Sequence, residues 1–146
     1  VSFQEQELID WDEFNAVREQ LGANFAKIIL YFREDGIKSV EAIEQAMQAK
    51  ISVALVVPAH TLKGESLQFG ATPLSALAEK IEMTARHLVE IQQTPEQLIP
   101  EAAQLRPMFE ATLDALERAT NPLVQRRSEG GGFGAKGATN QKFGRL

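Results

Sequence analysis

Through the first 120 residues the apolar side chains recur at three- and four-residue spacing, and nowhere do they alternate with period two between hairpin turns. That pattern buries a stripe along a helix rather than a face of a sheet, so the chain reads as all-α. A first helix can start at Asp10, with Glu13 three residues on as a capping box, and carries Trp11, Phe14, Val17 and Leu21 before Gly22. A second can run from about residue 24 to 49, with Phe25, Ile28, Ile29, Phe32, Val40, Ile43 and Met47 on one stripe. Gly36 inside that stripe costs about 1 kcal/mol against Ala and marks a bend or a close contact. A third segment, 52–69, ends at Gly70, the residue best suited to a left-handed cap.

The fourth helix is expected to begin with Thr72 as N-cap and Pro73 at the first helical position, and carries Leu74, Leu77, Ala78, Ile81, Ala85 and Leu88. Thr94, Pro95 and Gln97 make another capping-box start for a segment with Leu98, Ala102, Leu105, Phe109, Leu113 and Leu116. Pro100 and Pro107 are expected to restart or kink it, and Asn121 and Pro122 close it. One short helix and four longer ones with brief connections predict an antiparallel four-helix bundle with the small N-terminal helix laid across it. Residues 1–9 then form an N-terminal extension, 10–121 the bundle and 122–146 a tail.

At 146 residues, 44% apolar and 24% charged, the chain has the composition of one soluble domain. The absence of cysteine excludes disulfides and thiolate metal sites and suits a reducing compartment. The longest apolar run, residues 51–59, is too short to cross a bilayer, and no amino-terminal signal pattern precedes the folded part, so a cytoplasmic protein is expected. Residues 1–120 hold 10 Lys/Arg against 19 Asp/Glu, net −9, whereas 121–146 hold 5 against 1, net +4. An acidic body does not suit a nucleic-acid binder. The Gly-rich basic tail is expected to be flexible.

The third segment breaks two local rules close together. Pro58 lies mid-helix, where it removes a backbone bond, and Gly64 lies further along; between them is His60. At about 100° per residue, Leu55, Leu62, Ser66 and Phe69 share one face, and His60 points to the other. Around it stand Val53, Val56, Val57, Lys63, Gly64 and Leu67. Such a histidine can be a half-buried surface residue above valines packed beneath the first helix, or a nucleophile at the centre of an apolar docking surface.

The stretch AHTLKGESLQFGATPLSALAEKIE, from Ala59 to Glu82, closely resembles the signature of histidine-containing phosphotransfer domains. Phe32 on the preceding helix, Gly70 at the interhelix turn and the order of the four helices fit the same family, so the resemblance covers about residues 10–120. It implies that His60 accepts a phosphoryl group from the aspartyl phosphate of a receiver domain, itself fed by a hybrid or separate histidine kinase, and passes it to another receiver aspartate. Neutral imidazole is a good nucleophile near pH 7, and its phosphoramidate can give the group up again.

In relatives the phosphorylated atom is Nε2, which requires Nδ1 to donate to a fixed acceptor. Glu82, at the flank of its helix's core stripe about 80° from Leu74, is the candidate. The resemblance gives Lys63 the role of compensating phosphoryl charge and makes Gly64, with Val53, Val56, Val57 and Leu67, the receiver-docking surface. It also puts any Mg²⁺ on the partner receiver; the chain has no phosphate loop or kinase motif, so a phosphocarrier without ATP-dependent kinase activity of its own is expected, a monomer with no cofactor or metal of its own. Pro58, Glu65 and the tail are outside the family pattern. His87 lies on a polar face and receives no role. The alternative reading keeps the fold and makes the protein a non-transferring module that regulates a receiver or kinase by occupancy.

Overall fold

The chain enters the fold through two short elements. In the computed structural model, which describes residues 5–120, a single turn, α1 (Glu5–Leu8), leads into α2 (Trp11–Leu21). Asp10 caps α2 by accepting from the amides of Asp12 and Glu13, and Gly22 ends it at φ +56°. Leu8 and Ile9 are 2% exposed and α1 packs against α5 and α6, so the stretch read as an extension contributes to the core. Two adjacent apolar residues are too few to show a period, which is why the sequence pattern missed this turn. The tail, 122–146, lies outside the described residues.

After a 3₁₀ turn at 22–24 come the four bundle helices, α3 (Phe25–Ala49), α4 (Val53–Gln68), α5 (Thr72–Glu90) and α6 (Ile99–Thr120). Each packs on its sequence neighbour, and α3 closes the ring against α6. Short connections between packed neighbours make the bundle antiparallel, as the spacing predicted. The predicted stripes meet at its centre, where Val40, Ile43, Leu55, Leu62, Leu74, Ile81, Leu105 and Leu116 are all fully buried. Each such side chain stabilises the fold by about 1.5–3 kcal/mol.

A chain of rings fixes the end of α4. Trp11, Phe14, Phe25, Phe69, Phe32 and Phe109 meet in succession, edge to face or tilted, with centroids 4.9–5.9 Å apart, linking α2, α3, α6 and the last residue before Gly70. Gly70 then turns the chain at φ +78°, and its carbonyl accepts the Asp10 and Thr72 amides, each at 2.8 Å. A Cβ there would sit 2.7 Å from the Asp10 carbonyl oxygen, so conformation and space both demand glycine. Gly36 is a close contact rather than a free position: a Cβ would run into the Phe109 ring.

Three local expectations are corrected. Thr72 is already helical and Ala71 is the N-cap, because fully buried Ala71 presents its carbonyl to the Ser75 amide at 3.0 Å. The Thr94/Gln97 capping box does not form; the Thr94 hydroxyl donates to Glu96, and Pro95 caps a 3₁₀ turn at Glu96–Leu98. Neither Pro100 nor Pro107 restarts α6. Pro100 occupies the first turn, where no amide hydrogen is needed, and Pro107 is tolerated inside the helix on an exposed side.

Candidate functional site

Helix α4 presents apolar residues both inward and outward. Leu55, Ala59 and Leu62 are fully buried, yet Val53, Val57 and Leu67 are 60%, 71% and 58% exposed. The helix runs unbroken through Pro58, whose missing bond leaves the carbonyl of exposed Ala54 without its helical donor. His60 stands midway along the outer stripe. Val53 and Leu67 lie seven residues to either side, about 10 Å along the axis.

Two ring edges of His60 meet different surroundings. Nδ1 lies 3.0 Å from Oε2 of Glu82 on α5, while the side chain as a whole is 61% exposed, which leaves Nε2 as the nitrogen without a protein partner. Glu82 is 3% exposed, so its charge needs partners within the seam between α4 and α5. It has three. Lys63 places Nζ 2.9 Å from Oε1, and Arg86 donates to Oε2 from Nε at 3.0 Å and Nη2 at 2.8 Å. Burial alone would raise the Glu82 carboxyl, but Lys63, Arg86 and His60 outweigh it and bring it from 4.5 down to about 2. Glu82 is therefore an anion at neutral pH and an acceptor for an Nδ1–H. That bond selects the tautomer whose Nε2 carries the free lone pair.

The seam is tied independently of these charges. The Ser75 hydroxyl donates to the Lys63 carbonyl at 3.0 Å, joining α5 to α4 beside the site, and that of Ser66 donates to the Leu62 carbonyl at 2.7 Å. Gly64 is exposed, and a Cβ built there meets nothing within 4 Å. Its missing side chain serves no contact inside the fold.

His60, Lys63 and Glu82, singled out in the sequence, thus come together. The family model of the Hpt domain matches residues 27–120, which takes in α3 from its third residue, α4 to α6 and every residue of this cluster, while residues 10–26, expected to share the resemblance, lie outside the match. The chain belongs to the Hpt domain family. Hpt domains carry phosphoryl groups in two-component phosphorelays, as phosphocarriers rather than kinases, and interact there with receiver domains and kinases. No curated protein and no solved structure matches the chain. Among the described residues no helix is long and apolar enough to cross a membrane, and no group of three or more His, Asp or Glu side chains is placed to hold a metal ion.

Two placements in this Hpt domain differ from the sequence reading. Val56 is half-buried and packs on the core, because it and Lys63 lie about 40–60° round α4 from His60 on the side that leans towards α5. Lys63 faces Glu82 rather than standing free. Two further residues were missed. Arg86 reads as one more charge on a polar face, and only its i+4 relation to Glu82 hinted at a pairing. Met83, next to Glu82 in sequence, is an exposed apolar residue of α5, 53% accessible. His87 is exposed and 3.9 Å from Glu90, outside the cluster.

Proposed function

We propose that His60 takes a phosphoryl group on Nε2 from the aspartyl phosphate of one receiver domain and gives it to the aspartate of another. The observation that carries this reading is the Nδ1 contact with buried Glu82 beneath an otherwise exposed ring. In the forward step the Nε2 lone pair forms the N–P bond, the aspartyl O–P bond breaks, and the carboxylate leaves with its electron pair. The reverse step returns the pair to Nε2. Nδ1 keeps its proton throughout, so no proton has to cross the interface.

Lys63 assists by charge. It can share its ammonium between Glu82 and the arriving phosphoryl oxygens. The receiver would dock on Val53, Val57, Leu67 and Met83 with the edge of Val56, and Gly64 leaves room for its backbone beside the histidine. Any Mg²⁺ belongs to that partner, and the chain acts as a monomer in the cytoplasm, fed by a hybrid or separate histidine kinase.

The test is transfer from a ³²P-labelled receiver domain to the full chain, with His60→Gln as control. Wild type is expected to acquire acid-labile, base-stable label, and His60→Gln none while keeping its helical signal and thermal midpoint. Receivers that bind the protein without labelling it would overturn the reading in favour of regulation by occupancy.

A further inference from the structure

Two cations meet on the one buried carboxylate. Oε2 of Glu82 accepts from His60 Nδ1 and twice from Arg86, while Lys63 already faces Oε1. A carboxylate 3.0 Å from an imidazole favours the doubly protonated, cationic ring. That form has no lone pair on Nε2 and cannot attack phosphorus. A carboxylate in that position can therefore fix the tautomer and, if left unbalanced, also work against the nucleophile.

We propose that Arg86 is a positioning residue that offsets Glu82, so that this carboxylate can hold the Nδ1 proton without drawing a second proton on to Nε2. The inference rests on His60 being the phosphoryl acceptor and deepens that reading. With Lys63 and Arg86 both present, the cluster without the ring carries one net positive charge, and a cationic ring would add a second. Without Arg86 the cluster is neutral, and protonation of the ring meets less opposition. The charged groups around His60 are few. Its own helix presents Lys63, and α5 presents Glu82 and Arg86, with exposed Glu79 one turn before Glu82 on the same side. Lys80 is paired at 3.0 Å with Glu101 of α6, and His87 lies beside Glu90. On the α3 side, Asp35 faces Glu65, which is about 140° round α4 from His60.

The experiment measures uptake from phosphoramidate by the full chain between pH 6 and 9. Nε2 attacks phosphorus, the donor's P–N bond breaks and ammonia leaves. Rates are read as the ratio of variant to wild type at each pH, so that the donor's own titration cancels. Arg86→Gln keeps hydrogen-bond donors and loses the charge; it is expected to be about five- to tenfold slower at pH 6.5 and to come within about twofold at pH 8.5. Arg86→Lys keeps the charge but loses the two-donor contact, so its ratio to wild type should be the same at pH 6.5 and pH 8.5.

In a Glu82→Gln background there is no carboxylate to offset and no buried anion to strain the fold. There the remaining charges, Lys63 with or without Arg86, all oppose a cationic ring, so Nε2 stays free across the range and Arg86→Gln should have no pH-selective effect. A deficit equal at every pH, rescue by Gln and not by Lys, or a pH-selective deficit that persists without Glu82 would each overturn the proposal. Label on wild type with an unshifted Arg86→Gln profile defeats this inference alone, whereas no label on wild-type His60 from phosphoramidate or any receiver defeats it together with the phosphotransfer reading.

Discussion

Gly36 in α3 and Gly64 in α4 both stand inside long helices, where glycine costs about 1 kcal/mol against alanine, and their surroundings are opposite. A Cβ on Gly36 would enter the Phe109 ring; one on Gly64 would meet nothing. The first glycine is explained by the fold. The second is not, and it lies one turn from the exposed histidine, beside valines and a leucine that the core leaves outside. The same division runs through α4 as a whole, whose inner face is needed for folding and whose outer face weakens solubility without adding to the core. The difference separates what the fold requires from what it leaves exposed.

Substitutions can break this contrast. Gly36→Val should be the most damaging to the fold, lowering unfolding free energy by about 3 kcal/mol in urea melts while leaving phosphoryl uptake per folded molecule unchanged. Acid should loosen the site next. Glu82 has its carboxyl at about 2 in the folded protein against 4.5 in the free residue, so its contribution is complete above about pH 4.5 and is lost as pH falls towards 2. With Lys63 and Arg86 partly solvated, that loss should be about 1–2 kcal/mol, and Glu82→Gln should flatten this part of the pH–stability curve.

Gly64→Gln should leave stability unchanged or slightly raised but slow transfer from a receiver at least tenfold, equivalent to about 1.4 kcal/mol of activation free energy. Uptake from phosphoramidate, which needs no docking, should stay near wild type. Equal losses with both donors would place the role of Gly64 inside the fold after all. The smallest effect should come from Glu65, which burial and then the charge of Asp35 raise above the usual carboxylate range. The folded protein is thus penalised above that raised value and relieved as pH falls to about 4.5. Glu65→Gln should stabilise by about 0.5 kcal/mol at pH 7, and the gain should vanish below about pH 4.5.

The helices and the exceptional place of His60 were legible in the sequence for physical reasons. Long stripes at helical spacing survive almost any packing, and Pro58 and Gly64 break local helix rules on either side of His60. What was not legible depends on how helices cross. Whether Val56 faces a partner or the core turns on some 40° of rotation towards α5. Arg86 looks like any surface arginine until α4 covers Glu82 and makes its carboxylate a buried charge. Thr72 carries the right side chain for an N-cap, but the buried Ala71 carbonyl starts the helix one residue earlier.

The central claim is that Glu82 commits Nδ1 of His60 and leaves Nε2 to react. The most direct measurement is ¹⁵N and ³¹P NMR of histidine-labelled full chain after loading from a phosphorylated receiver domain. The account predicts one phosphorylated ring, His60, with phosphorus on Nε2 and the proton retained on Nδ1. Phosphorus on Nδ1 of His60, or on His87, would contradict it.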